Sequence, residues 1–174
     1  MRFGVLLVYT VLLVLSGCGG DPQTGPLEPH WDRDACERCR MVLSDHDYSA
    51  QIRYLPQGKK RTRTLWFDDI GCATLWLAEQ PWRDDPSVEI WVTDYQSGKW
   101  IDARTATYVK QRVTPMAYGL GATSERLEGN LDFAQAQQHI RDMEQRFNIR
   151  DAHLLEQAKE RAAAASPPIM KESN

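Results

Sequence analysis

From Phe3 to Leu15 the chain is almost unbroken apolar, interrupted only by Gly4, Tyr9 and Thr10, and no second run of this kind follows. The run falls short of the about 20 apolar residues that a spanning helix needs, and with Arg2 before it has the form of a signal-peptide core. It ends in Leu15-Ser16-Gly17-Cys18. Small residues directly before a cysteine are the pattern of a bacterial lipobox, in which residues 1–17 are removed and Cys18 is acylated. Whatever folds must come from the remainder, expected to be soluble and held on the periplasmic side of a membrane by lipid. Gly19 rather than Asp after the cysteine favours outer-membrane sorting in a cell with two membranes. Residues 18–30, with Gly19-Gly20, Gly25, Pro22, Pro26 and Pro29, read as a flexible tether that lets the folded part stand off.

The remainder has the means to form a core. Of 174 residues, 42% are apolar and 26% charged, with six Trp and six Tyr, an ordinary globular balance. The net charge of −3 excludes a strongly basic nucleic-acid binder. The cluster Lys59, Lys60, Arg61 and Arg63 reads as a solvated hairpin between two apolar-rich runs.

Those runs, Tyr48 to Leu55 and Thr62 to Phe67, have strand character, with Pro56-Gln57-Gly58-Lys59 as the turn. Asp68 or Asp69 then caps a helix that buries Ile70, Ala73, Leu75, Trp76 and Leu77 and ends at Pro81. Val88 to Tyr95 is a further strand. Residues 31–99 thus form one ββαβ unit. A fainter copy is expected over 100–150, from short strands at Trp100–Ala103, Ala106–Val113 and Met116–Thr123. Its helix carries Phe133, Ala136, Ile140, Met143 and Phe147 at helical spacing. Asp151 caps a further helix through Ala165, before the Pro167-Pro168 tail, within a helical or disordered extension over 151–174. The class is α+β.

Four cysteines, less the acylated Cys18, leave Cys36, Cys39 and Cys72. In Cys36-Glu37-Arg38-Cys39-Arg40-Met41 two thiols and a thioether fall within reach of one centre, and such soft ligands select Cu(I). A structural zinc site requires four ligands, and no second CxxC or HxxxH pair is present. Thiol–disulfide exchange is the competing reading of CxxC, although that motif ordinarily opens a helix after a strand. A plain structural disulfide is a third. Met116, in Thr114-Pro115-Met116, reads equally as a ligand or as a gap-filler, and Met143 as core. Cys72 reads first as a buried, inert thiol and is kept, with His46 and Asp68, as a residue beside the site. His46 follows the motif closely enough to bind, but a loop histidine is more often solvated. Asp68 reads with Asp69 as cap chemistry. No Ser/His/Asp set, paired catalytic carboxylates or phosphate-binding glycine loop points to an enzyme.

The lipobox, Cys36-x-x-Cys39-x-Met41, Phe67-Asp68-Asp69-Ile70-Gly71-Cys72 and Thr114-Pro115-Met116, in this order, resemble the NosL family of nitrous oxide reductase accessory lipoproteins. The resemblance spans about residues 30 to 147. It implies a Cu(I) chaperone with ligands at Cys36, Cys39, Met41 and Met116. It also implies nitrous oxide reductase and a membrane transporter complex as partners, and two ββαβ units similar to those of an organomercury lyase. The chain departs from the family pattern at Arg40, where a glycine is usual, and after Phe147, where a closing strand is expected. Arg38 and Arg40 are expected to favour thiolate at the neighbouring cysteines.

Overall fold

The computed structural model describes residues 23–165; the leader and Cys18 lie outside the described residues. Strands β1 (Ala50–Tyr54) and β2 (Arg63–Phe67) pair antiparallel, with Ile52 opposite Leu65 and Ala50 opposite Phe67. β3 (Glu89–Thr93) pairs with the other edge of β1, placing Ile90 opposite Ile52 and Val92 opposite Ala50. Because side chains alternate along a strand, these six apolar residues share one face. Helix α1 (Ile70–Ala78) follows β2. Ile70, Ala73 and Leu77 are buried in the same core. Burying Ile70 and Leu77 contributes about 1.5–3 kcal/mol each.

α1 starts where it does because Asp69, in extended conformation, accepts the Cys72 N–H at 3.0 Å. That satisfies a first-turn donor with no intrahelical partner. Gly71 in its first turn has a specific role: a Cβ there would lie 2.1 Å from the Tyr118 ring. The missing side chain lets Tyr118 pack directly on the helix.

The first ββαβ unit is present, but its sheet gains a fourth strand. β4 (Trp100–Asp102) pairs with β3, giving the order β2-β1-β3-β4. The expected boundary at residue 99 therefore cuts a hairpin. Asp94 explains why: its carbonyl accepts from Gly98 N–H at 2.8 Å, and its carboxylate accepts from Gln96 N–H at 3.0 Å. The tight turn returns Trp100 beside Thr93.

Among the described residues the second half is accordingly ββα rather than ββαβ. β5 (Thr107–Val109) and β6 (Gly121–Thr123) form a two-stranded sheet, joined to the first where Tyr95 N–H donates to Ala122 at 3.0 Å. Helix α2 (Phe133–Ala165) closes the fold. Asp132 and Gln135 cap it reciprocally, each side chain accepting the other's backbone N–H. Ala136 and Ile140 are buried, and Phe133, Met143 and Phe147 pack partly against the core. No helix break occurs at Asp151. With no Gly or Pro between Phe147 and Ala165, a run rich in Ala, Leu, Glu, Gln and Lys continues as one helix.

The segment read as a tether is also different where it is described. Residues 23–28 form a strap across the other face of the first sheet. Gln51 exchanges two hydrogen bonds with Leu27, and Arg53 donates to the carbonyl of Gly25 at 2.9 Å. Glu89 accepts from Gly25 N–H and from the Thr24 hydroxyl, and Glu28 accepts from Trp100 Nε1. The strap buries Gln51 and Arg53 (0% and 1% exposed) and supplies partners for their polar groups.

Candidate metal centre

The CxxCxM segment is a closed turn. Ala35 and Val42 bridge antiparallel, Cys36 N–H donates to the Met41 carbonyl at 2.8 Å, and Arg40 N–H donates to the Cys36 carbonyl at 3.0 Å. Arg40 sits at φ +66°, a left-handed conformation that glycine adopts without a Cβ penalty. The turn survives the loss of the usual glycine, with Arg40 bearing the strain. Glu37 N–H donates to the Trp66 carbonyl at 2.8 Å, fastening the turn to the end of β2.

That attachment places the turn over Asp68 and the first turn of α1. One ligand atom each from Cys36, Cys39, Asp68 and Cys72 all lie within 4.8 Å of one another. Cys36 and Cys72 are fully buried, and the three thiols are free. Cys39 Sγ donates to Asp68 Oδ2 at 3.0 Å, and Cys39 N–H donates to Cys36 Sγ at 3.5 Å. The second carboxylate oxygen, Asp68 Oδ1, is buried with no hydrogen-bond partner among the described residues. A buried polar atom without a partner is costly, and this one is the second oxygen of a carboxylate that converges with three soft thiols.

The thiols are not equivalent. Cys36 is lowered to about 6, chiefly by the Cys72 thiol hydrogen-bonding to it; burial opposes this, and the backbone N–H groups of Cys39 and Asp68 assist. Cys72 is raised by the same hydrogen bond and by burial. Cys39 is raised to about 12 by burial first and then by its bond to Asp68. The arrangement biases the buried Cys36 toward thiolate, with Cys72 and Cys39 beside it. The expected influence of the arginines is replaced by this local network. Arg40 is exposed beside Glu37, and Arg38 is committed elsewhere.

Arg38 donates to the Tyr118 hydroxyl at 3.0 Å and to Glu144 at 2.6 Å, and Tyr118 donates to the other Glu144 oxygen at 2.6 Å. A residue inside CxxC is thus latched to α2 and to the loop after Met116. Asp69 ties the same loop to α1: its Oδ2 accepts from Thr114 Oγ1 and Met116 N–H, both at 3.2 Å. Met116 is partly buried against the core, and Met41 is half exposed at the end of the turn. His46 stacks on Trp31 with ring centroids 3.8 Å apart and is not among the converging donors. Cys72 and Asp68, which the sequence offers as residues beside the site with inert core and cap chemistry as their simpler readings, belong to the cluster; the cap is Asp69 alone.

The NosL family model matches residues 29–124, just over half of the chain, and takes in all four converging residues. The chain belongs to the NosL family. Comparison with curated proteins gave no match. The NosL match ends before α2, yet α2 contributes Glu144 to the network around the motif. Its CxxC lies in a turn between Ala35 and Val42 and does not open a helix. That is not the setting in which the pair ordinarily performs thiol–disulfide exchange. The converging Cys36, Cys39, Asp68 and Cys72 side chains form a group able to hold a metal ion, consistent with a copper-related role for a NosL protein.

Proposed function

We propose that this NosL protein is a lipid-anchored, non-catalytic Cu(I) carrier on the periplasmic side of a bacterial membrane. Its client is a copper enzyme, nitrous oxide reductase by family resemblance, with the associated membrane transporter complex as a second partner. The observation that carries the reading is the convergence of three thiols on a carboxylate whose buried Oδ1 has no partner among the described residues. Sulfur-dominated donor sets select Cu(I) over harder ions, and copper is here cargo to be passed on. Cys36, already biased to thiolate, supplies the first strong ligand. Cys39 must lose its proton to bind, and Asp68 Oδ2, 3.0 Å away, is placed to accept it. Met41 and Met116 supply thioethers from the turn and the facing loop. Met41, half exposed, is where an incoming ligand of a partner would meet the metal first, so that copper passes by exchange without release as a free ion.

The test is anaerobic competition of the reduced protein against a Cu(I) chelator. Cys36→Ser and Cys39→Ser each lower affinity by more than about tenfold, or 1.4 kcal/mol. Met116→Ala lowers it by about one to two decades without unfolding the chain. Thiol–disulfide exchange activity with no Cu(I) retention would overturn the reading, as would Zn(II) held in preference to Cu(I).

A further inference from the structure

The strap fixes where the chain enters the fold. Its first described residue, Gln23, accepts the Thr62 N–H at 2.7 Å, beside the β1–β2 turn. Cys18 precedes Gln23 by five positions, a reach of at most about 18 Å. The turn therefore lies next to whatever holds Cys18.

That turn carries Lys59, Lys60 and Arg61, with Arg63 at the start of β2, all four exposed. None is in an ion pair among the described residues. Beside them Leu55 is 49% exposed, and Trp82 stacks on Tyr54 with centroids 4.1 Å apart. These rings line a shallow cleft with Pro56 and Pro81. The nearby acids do not neutralise the cluster: Asp85 accepts from Ser87, and Asp84 lies against Arg83. Unpaired basic groups next to an exposed leucine and an aromatic pair are the chemistry of a protein face resting on anionic headgroups.

We propose that the β1–β2 turn docks on the anionic phospholipid surface of the membrane that holds the chain. The metal cluster lies at the opposite end of β2, where the motif turn is fastened to Trp66 and Asp68 follows Phe67. Five strand residues, about 17 Å, separate the two ends. Docking at the basic turn therefore points the cluster away from lipid, toward protein partners. The proposal rests on the lipid anchor for the tether but not for the charge.

Site-resolved lysine acetylation of the full chain, on vesicles of phosphatidylcholine with or without phosphatidylglycerol, tests it. On the anionic vesicles Lys59 and Lys60 lose at least about threefold in reactivity, while Lys99, in the turn at the cluster end, is unchanged. Replacing Lys59, Lys60 and Arg61 together by Ser removes the extra retention on anionic vesicles, as does raised salt. Retention on both vesicle types without Lys59 and Lys60 protection overturns the docking face and leaves the anchor intact. Protection on anionic vesicles with no retention on phosphatidylcholine supports the docking face and overturns the anchor. A chain that sediments with neither overturns both.

Discussion

Asp68 and Asp69 show how much two adjacent, chemically identical side chains can differ once a fold has placed them. Asp69 spends both oxygens on backbone and hydroxyl donors, whereas Asp68 gives one oxygen to Cys39 and has the other buried without a partner among the described residues. At the same scale, Arg40 holds a left-handed backbone with an exposed side chain, 3.5 Å from Glu37. An exposed ion pair of this kind contributes little, while the left-handed conformation costs an L-residue about 1–2 kcal/mol. Allowing for the greater freedom of glycine in the unfolded chain, Arg40→Gly is expected to stabilise the protein by about 0.5–1 kcal/mol. The urea midpoint rises with the slope unchanged; a lowered midpoint would mean that the side chain contributes more than its geometry indicates.

Among the elements, α1 has the most work to do, since its N-terminus joins the metal cluster, the Met116 loop and the Tyr118 ring. Burial raises its cap, Asp69, to about 6 from 3.8. A carboxyl raised on folding stabilises fully below its unfolded value, and that contribution is lost as pH rises through the folded value. Asp69→Asn keeps a capping oxygen and removes the titration. The stability of the wild type minus that of the variant should therefore fall between about pH 4 and pH 7. Denaturant curves across that range provide the measurement, and subtraction cancels the other carboxylates. A difference that stays flat would show that Asp69 is not desolvated.

Most of α1 was legible from sequence, because an acid before an apolar run and a proline after it are local signals. The strands of the first sheet were legible for the same reason. Convergence was not: alternation and spacing say which face a side chain takes, not which distant residue it meets. Cys72 therefore reads first as core and only second as a neighbour of the site, although it is both fully buried and part of the cluster. Glu144 was missed because a glutamate on an amphipathic helix carries no local mark of its partner 106 positions away. The one available signal was Arg38 itself, a long cation inside a buried motif that must find an acceptor.

Across the whole molecule, the strap secures the first sheet, and the latch from Arg38 to Glu144 secures the motif turn to α2. α2 divides accordingly into a half that packs and a half that projects, since residues 150–161 are all exposed. Removing residues 151–174 is expected to change unfolding free energy by no more than about 0.5 kcal/mol. Glu144→Ala leaves a guanidinium and a phenol without their acceptor and is expected to cost about 1–3 kcal/mol. Thermal or urea unfolding of the two variants side by side separates them; equal losses would contradict this division of the helix.

The latch also sets an order of events while the chain is being made. Ribosomes deliver Cys36 and Cys39 long before Glu144, and at about 5–20 residues per second the 106 intervening positions correspond to about 5–20 seconds. For that interval the thiols exist without the helix that later holds their loop. The motif is thus complete in sequence well before it is complete in structure, and the last helix closes that gap.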